Sequence, residues 1–368
     1  MRVGVLGGGQ LGRMLALAGP PLGIEVRCLE RTADAPAGAV AALTVGDPAD
    51  AAVLAEFAAD VDVLTYEIEG LPEEALAEVA EETPLRPSLR SLEVASDRWL
   101  EKALLAGLGI PVPRTLRVGD RDDLDDAVAA LGPCLLKCRR GGYDGRGQAV
   151  VRALSDSAGL AAAAALLDAP GGLVAEELLA FDTEVSVLGA RAVDGSMAVW
   201  PLVQNSHRQG VLRESRVPAS LPADLEPQAA SYLRSLLTEL DHVGVLALEL
   251  FVMPGQHGQR LLANELAPRV HNSGHWTMEG AETGQFEQHL RAITGLPLGS
   301  TALRGPAVMV NLLGTLPEAA AVLAVPGAHL HLYGKQPRPG RKLGHVTVTA
   351  PDEVTLGQRL DLLAAVLA

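Results

Sequence analysis

The chain has 368 residues, with 30 basic against 45 acidic side chains, a formal net charge of -15 with histidine neutral, and only 3% aromatic residues. That length supports a sizeable core and two or three domains, and a hydrophobic fraction of 48% excludes wholesale disorder. The acidity would repel a phosphate polymer, and so few aromatic faces offer bases no stacking platform; nucleic acid is excluded as a partner, whereas small metal-complexed anions are not.

The start reads strand, turn, helix, strand: Val3 to Leu6, a glycine turn, Gln10 to Ala18, then Ile24 to Leu29, with the strand signal repeated at Val61 to Thr65. This βαβ pattern predicts a helix-covered parallel sheet to about Ser91. Ser96 reads as the N-cap of a helix through Leu108, closed by Gly109 and by Pro111 and Pro113, and a new domain is expected from there. Helices follow at Asp122 to Ala130 and Ala158 to Leu167. Strands are expected at Cys134 to Cys138, Gln148 to Arg152, Leu173 to Leu178, Glu184 to Ala190, Met197 to Val203, Val243 to Val252 and Arg260 to Leu266. A last segment, from about Leu296, carries strands at Ala307 to Leu312, His329 to Tyr333 and His345 to Thr349 and a closing helix after Asp352. The fold class is α/β followed by a mainly antiparallel α+β region. The longest apolar runs fall short of the ~20 residues a membrane span needs. Cys28, Cys134 and Cys138 are too few for a disulfide framework, which points to a reducing cytoplasm.

Gly7-Gly8-Gly9-Gln10-Leu11-Gly12 matches G-x-G-x-x-G between a strand and a helix, and Glu30 ends the next strand. Three readings stay open there: a dinucleotide, another phosphate-bearing ligand at the helix N-terminus, or a tight structural turn. Lys137 lies in an otherwise apolar strand, so its ammonium must be paired or face a ligand. The following loop, Arg139 to Gln148, has four glycines whose amides can cradle phosphates and three arginines that can neutralise them. Glu249 and Glu265 each interrupt a buried-looking strand. On neighbouring strands they would make a hard oxygen site for magnesium; the alternative is two separate salt bridges. Glu176, Glu177 and Glu184 form another acidic group. Arg269, His271, Asn272, Ser273 and His275 crowd the end of the Glu265 strand, and Lys335, Arg338, Arg341 and Lys342 lie in a glycine-rich tail suited to a phosphate monoester.

These segments together, with Thr65-Tyr66-Glu67-Ile68-Glu69, resemble the ATP-grasp ligases, most closely the 5-(carboxyamino)imidazole ribonucleotide synthases of purine biosynthesis. The resemblance implies a Rossmann-like pre-ATP-grasp α/β domain over 1–95, an ATP-grasp domain over 96–295 with a lid subdomain at about 112–178, and a small C-terminal domain over 296–368. It implies ATP-dependent carboxylation of 5-aminoimidazole ribonucleotide by bicarbonate through carboxyphosphate, with Mg2+ or Mn2+, in a cytoplasmic homodimer. Arg98, Lys137, Gly142, Tyr143, Asp144, Gly145, Arg146, Gly147, Gln148, Glu176, Glu177, Leu178, Leu179, Glu184, His207, Asn264 and Glu265 would then line the ATP site, and Glu249 and Glu265 would hold the metal. Arg269 and His271 would take bicarbonate and carboxyphosphate. Lys335, Arg341 and Lys342 would take the ribonucleotide phosphate, with Gln10, Leu11, Glu67 and Asn272 among its contacts and Tyr143, Asp144 and Lys335 close to the chemistry. Two departures from the family pattern stand out: Ala267 where many relatives have a metal-binding Asn, and Gly70 where Asn often follows Glu69.

Overall fold

The computed structural model describes residues 1–142, 147–255 and 258–367; Tyr143, Asp144, Gly145 and Arg146, expected at the site, lie outside them. Three sheets organise the chain. The first is parallel, in the order Ala42–Val45, Glu25–Glu30, Arg2–Leu6, Val63–Tyr66. Val3, Val5, Leu6, Val63, Leu64 and Tyr66 are all buried, as strands covered on both faces require.

Between the first two sheets the helix expected through Leu108 is Arg98–Gly107, and a second helix, Leu89–Ser96, precedes it. Ser88 caps Leu89–Ser96, and Asp97 caps Arg98–Gly107 by accepting from the amides of Trp99 and Leu100. Ser96 is not the cap: its hydroxyl turns back to the carbonyl of Leu92. Asp97 wins because its buried carboxylate also receives Arg139 at 2.6 Å and Arg140 at 3.3 Å, a charged anchor that a hydroxyl cannot supply.

The second sheet is antiparallel, in the order Thr115–Val118, Leu173–Glu177, Cys134–Cys138, Gln148–Val151. The third holds nine strands, all paired antiparallel, running Gly258–Ala267, Gly244–Gly255, Thr183–Arg191, Val203–Arg208, Val211–Val217, Ala307–Leu313, Lys342–Thr349, Ala328–Leu332, with Met197–Val199 also on Thr183–Arg191. The strands of the last segment therefore extend the central sheet. The strand expected over Met197 to Val203 is cut at Pro201, which cannot donate to a ladder, and its second half starts a new strand at Val203. Val211–Val217 is a strand that its polar sequence does not announce. The helix Leu225–Glu239 is likewise outside the expected elements; its Leu225, Ala229, Leu233, Leu236 and Leu237 form one buried stripe against the sheet. Among the described residues no helix is long and apolar enough to cross a membrane, and Cys28, Cys134 and Cys138 are free and buried.

His289, fully buried on the helix Gln285–Thr294, joins the first sheet to the third. Its Nδ1 accepts the amide of Val245 at 3.0 Å, and its Nε2 lies 2.8 Å from Thr65 Oγ1. Burial pushes His289 down to about 3 and His242 to about 4, and holds His275 and His345 well below the ordinary imidazole range. Such groups stabilise the fold fully above an unfolded value near 6.5, and that stability is lost as pH falls toward the folded values, at up to about 1.4 kcal/mol per pH unit per imidazole. Denaturant midpoints measured from pH 7 to 4 should therefore drop steeply below about pH 6.5; a flat profile would contradict four neutral buried histidines.

Candidate active site

A cleft of about 370 Å³ opens between the second and third sheets. Its walls include Arg98, Lys137, Gln148, Glu184, His207, Glu249, Asn264, Glu265, His271, Asn272 and Lys342, with Leu135, Leu212 and Phe251 as apolar surface. Eleven expected polar residues, spread from 98 to 342, thus meet in one cavity. Gly142 joins them through its carbonyl, which accepts from Arg98 at 3.3 Å. Glu176, Glu177, Leu178 and Leu179 are not among the lining residues: Glu176 is buried behind Lys137, Glu177 accepts from the Arg114 amide, and Leu178 is exposed.

Glu249 and Glu265 sit directly opposite each other on adjacent strands, beside a bulge that falls between Glu249 and Leu250. Opposed positions share a face, so the two carboxylates project together. Arg98 holds Glu265 at 2.9 Å, and His271 Nε2 lies 3.1 Å from Glu249. Burial opposes ionisation of Glu265, but the charges of Arg98 and Lys137 outweigh it and hold the carboxyl well below the usual range. Among the described residues no group of three or more His, Cys, Asp or Glu side chains could hold a metal ion. Two hard carboxylates fit magnesium carried in on phosphates, which keeps waters and takes phosphate oxygens for its remaining positions. Glu184 is hydrogen-bonded to His207, whose imidazole it raises against the opposing effect of burial.

Behind the cleft lies a charge network the sequence did not reveal. Lys137 bonds Glu176 at 2.7 Å and Asn264 Oδ1 at 3.4 Å, while Lys102 approaches the other oxygen of Glu176 at 3.5 Å and donates to the Asn264 carbonyl. Glu101 accepts the amide of Leu266. One helical turn, Arg98, Glu101 and Lys102, thus grips three consecutive residues of the strand that carries Glu265. Burial pushes Glu101 up to about 7 and Lys102 down, whereas the two ammonium groups hold Glu176 low despite its own burial. A Glu-Lys pair on a helix ordinarily reads as a solvated surface. The one signal was the spacing Arg98, Glu101, Lys102, Leu105, which places them on the face of a buried leucine.

The glycine turn is structural. Glu67 accepts the amides of Gly9 and Gly12, the latter at 2.6 Å, and Glu30 accepts that of Gly8 at 3.0 Å. The protein's own carboxylates thus satisfy the amides at the helix N-terminus where a dinucleotide or phosphate was expected, and the structural-turn reading is the one this geometry favours. A Cβ on Gly7 would meet Glu67 Cγ at 2.4 Å, and one on Gly9 would meet Glu67 Oε1 at 2.7 Å, so the glycines admit this carboxylate. Gln10 instead receives Lys335 across 325 positions of sequence, and Leu11 is buried. Arg269 pairs with Glu69 at 2.6 Å, beside rather than in the lining of the cleft. Of the tail cations, Lys342 lines the cleft, Lys335 reaches Gln10, and Arg341 donates to the Gln336 carbonyl at 3.2 Å.

Comparison with known proteins agrees along the whole chain. Residues 1–96 match a ribonucleotide synthetase preATP-grasp domain, 103–286 an ATP-grasp domain and 307–359 a phosphoribosylaminoimidazole carboxylase C-terminal domain. An N5-carboxyaminoimidazole ribonucleotide synthase of Pseudomonas aeruginosa is 46% identical, covering 100% of this chain and 99% of its own. The crystal structure of the Thermus thermophilus synthetase superimposes with TM-score 0.92 at 48% identity, over 99% of this chain and 98% of its own. An Aspergillus clavatus synthase in complex with ADP and 5-aminoimidazole ribonucleotide gives TM-score 0.89 at 31% identity, over 99% and 98%.

The Glu67 plug yields a test. Glu67→Gln can satisfy only one of the two amides and turns an NH2 toward the other, a mismatch worth about 1 to 3 kcal/mol. Its unfolding free energy, measured by denaturant titration near neutral pH, should fall by that amount; an unchanged value would show that the carboxylate is not holding the turn.

Proposed function

The chain belongs to the N5-carboxyaminoimidazole ribonucleotide synthase family of ATP-grasp ligases, and from that membership we propose how its residues divide the work. The family reaction is its own: ATP activates bicarbonate as carboxyphosphate, whose carboxyl group passes to the exocyclic amine of 5-aminoimidazole ribonucleotide, releasing ADP and phosphate, in purine biosynthesis.

The facing pair Glu249 and Glu265, with Arg98 bonded to Glu265 and Lys137 reaching in from the small sheet, carries the assignment of the phosphate end of ATP. Mg2+ or Mn2+ held by the two carboxylates would neutralise the triphosphate and polarise the transferring phosphoryl group. Lys137 supplies a fixed positive charge in a water-poor setting, where it acts without reorganising. Leu135, Leu212 and Phe251 offer the apolar surface for the base, and Glu184 with His207 the polar contacts. The glycine-rich segment from Gly142 to Gln148, entered from the small sheet, would cover the phosphates; excluding water preserves carboxyphosphate, which hydrolyses readily.

His271 and Arg269 are assigned to bicarbonate and carboxyphosphate. His271 lies beside Glu249 at the metal end, and Arg269 faces Glu69 from the first domain. Lys335 with Gln10 marks the ribonucleotide side, where first and last segments of the chain meet, and Arg341 and Lys342 complete the cationic set for its phosphate. A homodimer is assigned on family likeness, and the cytoplasm on the same ground together with three unpaired buried thiols.

ADP release measured with ATP, bicarbonate and 5-aminoimidazole ribonucleotide, each omitted in turn, tests the reaction. Full activity with formate and glycinamide ribonucleotide instead would overturn it. Glu265→Gln should remain folded and lose most ADP release, because an amide cannot offset the metal-triphosphate charge. Arg341→Ala and Lys335→Ala should each raise the KM for the ribonucleotide about tenfold or more, as loss of a charged hydrogen bond does, with the KM for ATP nearly unchanged. Equal weakening of both substrates would remove the tail from the phosphate site.

A further inference from the structure

One face of the central sheet carries a polar row that the reaction scheme leaves unused. Glu249 is opposed by Ser186 on the next strand, and Asn205 and Ser215 are directly opposed on the two strands beyond. Ser186, Asn205 and Ser215 are 0%, 5% and 0% exposed. Buried hydroxyls and amides must find partners, and these find one another in sequence. Ser215 Oγ donates to Asn205 Oδ1 at 2.8 Å, Asn205 Nδ2 donates to Ser186 Oγ at 2.9 Å, and Ser186 Oγ donates to Ser273 Oγ at 2.7 Å. Ser273 Oγ lies 2.9 Å from His271 Nδ1.

The chain has a direction. With its oxygen taken by Ser215, the Asn205 amide can only donate to Ser186, whose hydrogen must then pass on to Ser273. The Ser273 hydroxyl, already accepting, sends its own hydrogen to Nδ1. The backbone amide of Ser273 also points at Nδ1, at 3.4 Å. Two donors therefore aim at Nδ1, and the ring hydrogen belongs on Nε2, facing Glu249. Gln285 fixes the ring's backbone from the other side, accepting from the His271 amide at 2.8 Å and donating to its carbonyl at 2.7 Å.

We propose that Ser186, Asn205 and Ser215 are positioning residues for the carboxylation reaction: their buried hydrogen-bond chain sets the tautomer of His271 so that Nε2 carries the hydrogen, which faces Glu249 at the cleft and passes to the oxygens of the carboxyl-transfer species when these bind there. This rests on the assignment of His271 to carboxyphosphate. The small polar residues act through His271, three strands deep into the sheet, and touch no substrate themselves.

Asn205→Asp is the informative variant. A carboxylate there cannot donate to Ser186, so the Ser186 and Ser273 hydroxyls reverse and Nδ1 must carry the hydrogen. In the full-length protein labelled with 15N-histidine, with the His271 signal assigned by its loss in His271→Gln, wild type should show the Nε2–H pattern and Asn205→Asp the Nδ1–H pattern. Asn205→Asp should also raise the KM for bicarbonate about tenfold, leave the KM for ATP within twofold, and release more ADP per carboxylated product. Ser186→Ala, which cuts the chain, should raise the same ADP-to-product ratio and decides the matter if Asn205→Asp does not fold. The proposal is overturned if Asn205→Asp keeps the Nε2–H pattern, or if the folded variants lose turnover with bicarbonate KM and coupling unchanged. Wild type that released no ADP with bicarbonate and the ribonucleotide would instead count against the reaction itself, and the tautomer measurement would still judge the chain.

Discussion

Everything at the cleft depends on holding like and unlike charges in alternation away from water. Lys137, Glu176 and Lys102 form a buried line, and Glu101 and Arg98 extend it to the strand bearing Asn264 and Glu265. None of these groups is tolerable alone in such a place, because an unpaired buried charge costs several kcal/mol. Paired in sequence, they stiffen the edge of the large sheet. An edge strand would otherwise leave the carbonyl of Asn264 and the amide of Leu266 open; Lys102 and Glu101 close them. The helix that does this starts at Asp97, which also ties down Arg139 and Arg140 at the root of the glycine-rich loop. One helix therefore holds the strand bearing Glu265 and ties down Arg139 and Arg140 where the glycine-rich segment begins.

Residues whose chemistry conflicts with their surroundings were legible in the sequence. Lys137 in an apolar strand, and Glu249 and Glu265 in two others, announced themselves by being out of place, and the structure brings all three to one cavity. The order of motifs along the chain gave the ATP-grasp architecture. Residues whose chemistry agrees with a bland alternative were not legible. Glu101 and Lys102 have the look of helix surface, and Ser186, Asn205 and Ser215 are small polar residues that nothing in the sequence marks; only burial tells otherwise, and burial is a tertiary fact. The glycine turn misled in the opposite sense. Its pattern states that something negative approaches the backbone, but not that Glu67, 58 positions from Gly9, supplies the negative charge.

Boundaries followed the same logic. Pro201 ended a ladder where the hydrophobic pattern ran on, and Asp97 displaced Ser96 as a cap because its partners arrive from a loop some forty residues away. Val211–Val217 is a strand in spite of Arg213, Glu214 and Arg216 because its neighbours on both sides satisfy its backbone. Local propensity had no access to those neighbours.

The continuity of the nine-stranded sheet bears on how the chain is made. Val211–Val217 obtains its second partner only from Ala307–Leu313, and that strand in turn is covered by Lys342–Thr349 near the end of the chain. Val211–Val217 precedes its second partner by about ninety residues, so during vectorial synthesis its outer edge stays open until Ala307–Leu313 has been made. Unpaired edges recruit other strands. The charged side chains of Val211–Val217, which hid it from pattern reading, are well suited to that interval: Arg213, Glu214 and Arg216 make the nascent edge a poor template for aggregation until its own partner arrives.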